Sequence, residues 1–97
     1  VWIGWLEFDI LLGDVHSLKQ KRSVVRPIIA ELQRRFSVSA AETGWSDRHR
    51  RAGIGVSVVA ADSAHATDVL DAAERLVAAR PEIELLSARR GLRRSND

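Results

Sequence analysis

Apolar and polar residues alternate with period two from the start of the chain. Trp2, Leu6, Phe8 and Ile10 fall on one side of an extended segment, and Ile3, Trp5, Glu7 and Asp9 on the other. This predicts a strand with one buried and one mixed face, ended by the turn residues Gly13-Asp14. Ser17 then offers an N-cap, with Gln20 at the capping-box position. Leu18, Val25, Ile28, Leu32 and Phe36 recur in steps that mark one helix face. Pro27 removes a hydrogen bond to the Ser23 carbonyl, but the pattern resumes in phase after it, so a kink rather than a break is expected.

Ser37 to Thr43 reads as a short strand, and Gly44 to Arg51 as a polar hairpin loop. Ala52 to Ala61 is the clearest strand: Ile54, Val56 and Val58 face a core, while Gly53, Gly55 and Ser57 face away. Asp62-Ser63 caps a second helix, whose buried stripe is Val69, Leu70, Ala73, Leu76 and Val77 and which Pro81 ends. Ile83 to Ala88 is a final strand. From Arg89 onward apolar content is almost absent, so the domain is placed at residues 1–90 and 91–97 is expected to be a basic, frayed tail.

The order strand, helix, strand, strand, helix, strand predicts an α+β fold. Right-handed crossovers place both helices on one face of a four-stranded antiparallel sheet of order 4-1-3-2. This is the ferredoxin-like plait (βαββαβ). Its 97 residues suffice for one domain. Neither a charge-poor run long enough for a membrane helix nor a basic, cleavable leader is visible, so a cytoplasmic protein without membrane association is expected.

Four segments in order resemble the YlxP-like family of bacterial proteins, a domain of unknown function. Ser17-Leu-Lys-Gln-Lys-Arg22 is similar to its SLK-x-KR signature, and Arg34-Arg-Phe-Ser-Val-Ser-Ala-Ala-Glu42 to its R-x-RF-x-VS-x-AE stretch. Arg51-Ala-Gly-Ile-Gly-Val56 and Pro81-Glu-Ile-Glu-Leu-Leu86 resemble its RA-x-x-GV strand and PE-x-EL-L ending. Pro27 stands where family helices usually run unbroken. His49 stands where a loop Trp is common, with Trp45 four residues earlier. The resemblance implies a plait, a homodimer and a gene neighbourhood of translation-initiation and ribosome-maturation factors. It supplies no catalytic residues.

Composition changes the picture in two ways. The absence of cysteine excludes disulfides, thiolate metal sites and cysteine catalysis. The net charge of +2 hides segregation: residues 16–35 carry Lys19, Lys21, Arg22, Arg26, Arg34 and Arg35 against Glu31 alone. Residues 1–15 and 62–79 are acidic by contrast. Lys19, Arg22 and Arg26 share a helix face by their spacing, and Lys21 lies nearer the apolar edge, where its stem can follow apolar surface. With Arg48, Arg50 and Arg51 in the loop they form a candidate phosphate-contacting surface for RNA or a ribosome. The competing explanation is a solvated, salt-bridged helix face.

On the other sheet face, Ile3, Trp5, Gly53, Gly55 and Ser57 are candidate dimer-interface residues, since a row of small residues lets another surface approach. Glu7 and Asp9 make that face acidic, with ion pairing across a dimer as their expected role. Two carboxylates and a lone Trp on the central strands argue against aromatic base readout there. Enzymatic chemistry is not indicated. His16, His49 and His65 lack ligand spacing, Gly53-x-Gly55 lies within a strand, and the only Asn, Asn96, is in the tail, away from any acylphosphatase-like pairing. No cofactor, metal or catalytic residue is expected. Two alternatives to an RNA-contacting accessory protein are a dimeric, ACT-like small-molecule module and a protein–protein adaptor.

Overall fold

The computed structural model describes residues 1–96. It contains β1 (Trp2–Leu12), α1 (Leu18–Phe36), β2 (Ser39–Gly44), β3 (Arg51–Ala60), α2 (Ser63–Ala78) and β4 (Ile83–Arg94). The four strands form one antiparallel sheet of order β2-β3-β1-β4, the expected plait.

The alternation in β1 is realised as read. Leu6, Phe8, Ile10 and Leu12 are buried, as are Ile54, Val56 and Val58 of β3. Val25, Ile28 and Leu32 of α1 and Leu70, Ala73 and Val77 of α2 close the core from the helical side. Both helices are capped as their sequences predict. Ser17 Oγ accepts from the Gln20 amide at 3.1 Å, and Gln20 Oε1 accepts from the His16 amide at 2.6 Å. Asp62 Oδ1 accepts from the His65 amide at 2.7 Å. Helix α1 runs through Pro27 without ending. It stops at Ser37, which takes a left-handed conformation (φ 53°) and donates its amide to the Gln33 carbonyl.

One expectation is corrected. The segment after Ala88 is ordered strand, not a frayed tail: β4 continues to Arg94, which pairs with Trp2. The Ser95 amide then donates to the Val1 carbonyl at 2.8 Å, and the Val1 ammonium donates to Ser95 Oγ. Asp97, the last residue of the expected tail, lies outside the described residues. The low apolar content misleads because β4 is an edge strand. Its ladder to β1 needs only backbone groups, and its charged side chains find partners. Arg90 reaches α2, donating to Asp71 at 2.8 Å and Glu74 at 3.1 Å. Asp71 first, and Glu74 with it, hold the Arg90 guanidinium more firmly protonated than an ordinary arginine.

Candidate nucleic-acid interface

Lys21 organises one end of the molecule. Its position on the helix directs its ammonium under the β2–β3 connection, and the residue is only 2% exposed. Nζ donates to the Trp45 carbonyl at 2.6 Å and the Arg48 carbonyl at 2.9 Å, and pairs with Glu42 Oε2 at 2.8 Å. Those three acceptors match the three donors of an ammonium, which makes its burial tolerable. Lys21 is therefore corrected from a phosphate contact to the residue that fastens the loop to α1.

Arg51 leaves the phosphate-contacting set as well. Its Nε and Nη2 donate to Asp9 Oδ1 and Oδ2 at 3.1 and 2.6 Å, a bidentate fork, and its guanidinium lies 4.4 Å from the Trp45 ring centroid. Arg50 is partly engaged, with Nε donating to the Gly13 carbonyl at 3.0 Å. In the second half of α1, Arg34 and Arg35 share the single Glu31 carboxylate with Arg80.

What remains is narrower than the sequence stripe and better defined. Lys19, Arg22 and Arg26 are exposed on the first half of α1 and line, with Ser23 and Pro27, a shallow depression of about 410 Å³. Arg48 and Arg50 are exposed on the loop beside it. Among the described residues, no carboxylate lies within 4 Å of the charged nitrogens of these five side chains. Because Lys21 ties the Trp45 and Arg48 carbonyls to α1, the loop cations stand at the same end of the molecule as the helical ones.

The sheet face away from the helices also differs from expectation. It is not acidic, because β4 brings Arg89 beside Glu7, and Arg51 neutralises Asp9. Both carboxylates pair within the chain rather than across a dimer. The glycines of β3 are small for an internal reason. A Cβ on Gly55 would stand 2.7 Å from Thr43 Cγ2, and one on Gly53 would stand 2.9 Å from the Gly44 nitrogen. Gly53 is buried and Gly55 half-buried, so neither presents an open surface to a partner, whereas Ile3, Trp5 and Ser57 are exposed. Val59, paired with Ile3 and 67% exposed, joins them; the sequence reading missed it, although its outward phase follows from that of Ser57.

Trp45, the loop aromatic, takes φ 60° and stands at the rim of this face, 43% exposed. Two shallow depressions adjoin there. One, of about 270 Å³, lies between Trp5 and Thr43, and the other, of about 400 Å³, between Trp45 and Arg89; Glu7 and Thr43 line both. His16 lies 2.6 Å from the Asp14 carboxylate at the start of α1. Among the described residues no group of three or more His, Cys, Asp or Glu could hold a metal ion, and no helix is long and apolar enough to cross a membrane.

These features define a ferredoxin-like plait with a loop fastened to its first helix by a buried lysine. The family model described as a protein of unknown function (DUF503) matches residues 3–90. The uncharacterized protein YlxP of Bacillus subtilis (strain 168) is 32% identical over 82 residues, covering 84% of this chain and 89% of the relative. The chain belongs to this YlxP-like family.

Proposed function

We propose that the protein is a non-enzymatic accessory factor that contacts RNA, at a ribosomal surface or elsewhere, through phosphates held by Lys19, Arg22, Arg26, Arg48 and Arg50. The observation carrying this reading is the contrast in pairing. Seven of the fifteen lysines and arginines face a carboxylate among the described residues; of the eight that do not, these five gather at one end, on a helix and a loop that Lys21 fixes to each other, while Arg75, Arg93 and Arg94 lie elsewhere. Arginine forks and a lysine point charge on a firm scaffold suit phosphate oxygens. Nothing in their arrangement selects a base, so the contact is sequence-neutral.

The test is RNA binding over a salt series. Five phosphate contacts on a single strand give a slope of about −3.5 in log K against log salt, and changing Arg22 and Arg26 to Glu reduces its magnitude by at least about 1.4. A flat slope, or affinity unchanged in the double variant, refutes the reading.

A second reading concerns assembly. Ile3 and Val59 stand side by side on the outer sheet face with Trp5 next to them, all exposed. We infer that this end of the face meets a second copy of the chain, giving a homodimer whose basic ends remain free.

A further inference from the structure

The depression beside Trp45 has the makings of a base-binding site. Arg51 covers the indole at 4.4 Å but does not line the depression, which runs along Trp45 on the sheet face. Its other walls carry polar atoms with unused capacity. Glu7 Oε1 has no hydrogen-bond partner among the described residues, because Arg89 engages only Oε2. The Thr43 and Ser87 hydroxyls donate to nothing among the described residues, and both line the same space. Asp9, by contrast, has both oxygens committed to Arg51. The Trp45 side chain, one free carboxylate oxygen and two hydroxyls line about 400 Å³, enough for one planar heterocycle.

We propose that this depression takes a guanine base from the single-stranded RNA whose phosphates the basic end holds. The inference rests on the phosphate-contact reading and adds a base preference to it. Stacking on Trp45 would accept any base. The Glu7 carboxylate discriminates, because an ionised carboxylate only accepts hydrogen bonds. Guanine presents two adjacent donors, N1–H and the 2-amino group. Uracil offers one N–H between two carbonyls that repel the carboxylate. Adenine and cytosine each set their amino group beside a ring-nitrogen acceptor. Arg89, already beside Glu7, is placed for a sugar or phosphate oxygen of the same nucleotide. The objection raised by the sequence, that Glu7 and Asp9 repel RNA, falls once Arg89 and Arg51 are seen to neutralise them.

The experiment compares two labelled five-nucleotide RNAs, all uridine or uridine with one central guanine, by fluorescence anisotropy over a salt series. The guanine pentamer is expected to bind about tenfold tighter to the wild-type protein. Glu7→Gln should erase that preference without changing the salt slope. Trp45→Ala should weaken both pentamers by about tenfold, and Trp45→Phe should restore most of the loss. Equal binding of the two RNAs, or a guanine preference that survives Glu7→Gln, overturns the base site; with a steep salt slope the phosphate reading still stands. A flat slope with no difference between the RNAs overturns both. If Trp45→Ala fails to fold, Glu7→Gln decides the matter alone, since Glu7 is exposed and outside the core.

Discussion

The ammonium of Lys21 donates to the backbone carbonyl of Trp45 at 2.6 Å, joining residues 24 apart in the chain. The carbonyl belongs to a residue in a left-handed conformation, which non-glycine residues keep only where surrounding contacts hold them. Lys21→Met keeps the apolar stem but strands the Arg48 carbonyl and the Glu42 carboxylate and leaves the Trp45 carbonyl only the Arg48 amide. Removing one partner of a buried ion pair typically costs ~3–5 kcal/mol; Glu42 and the loop can turn to water, so about 2–3 kcal/mol is expected here. Urea denaturation measures that loss. Hydrogen exchange should show faster exchange of the Arg48 amide, which donates to the Trp45 carbonyl.

Gly91 supplies a second prediction. A Cβ there would lie 2.3 Å from Trp5 Nε1 and Cε2, so the indole occupies the space that a side chain would need. Gly91→Val forces Trp5 off the β4 backbone. Such overpacking should cost about 1–3 kcal/mol in stability. Gly91→Val together with Trp5→Ala should recover part of it, a coupling visible in a double-mutant cycle.

The fold was legible because its signals are repetitive. Period-two burial in β1 and β3, two capped helices and their order admit few topologies, and each apolar face met another in the core. The candidate site was legible only in its charge. Whether a lysine on a helix is solvated or buried depends on what lies over it, and the loop covering Lys21 is 24 residues away. The same long-range pairing hid the roles of Gly53, Gly55 and Gly91, whose neighbours lie on adjacent strands. Composition also misplaced residues after Ala88. Strand pairing with β1 is a backbone property that an arginine-rich sequence does not advertise.

Truncation after Arg90 tests the extent of β4. A frayed tail could be removed without effect. The structure instead predicts that Trp2, Ile3, Gly4 and Trp5 lose their pairing with Arg94, Arg93, Leu92 and Gly91, along with the Ser95–Val1 hydrogen bonds. Trp5 also loses the backbone on which it rests. The truncated chain should be less stable by at least about 2 kcal/mol, since several net hydrogen bonds of ~1 kcal/mol each disappear. Thermal melting of the two chains, followed by Trp fluorescence, decides between the alternatives; equal midpoints would contradict an ordered β4 end.

Assembly can be separated from the phosphate contacts because Val59 stands at the end of β3 away from Arg51 and the basic loop, on the sheet face rather than on α1. Val59 is more exposed than any other large apolar side chain of the sheet and lines neither depression at the basic end. Val59→Glu therefore leaves the core and the basic end intact. In a two-fold assembly it sets each new carboxylate into an apolar contact on the partner. Burying an unpaired charge is costly enough to dissociate a modest interface. Sedimentation should report a dimer for the native chain and a monomer for Val59→Glu, with the RNA salt slope per chain unchanged. A native chain that sediments as a monomer at tens of micromolar would refute the proposed interface while leaving the phosphate contacts to be judged by their own salt series.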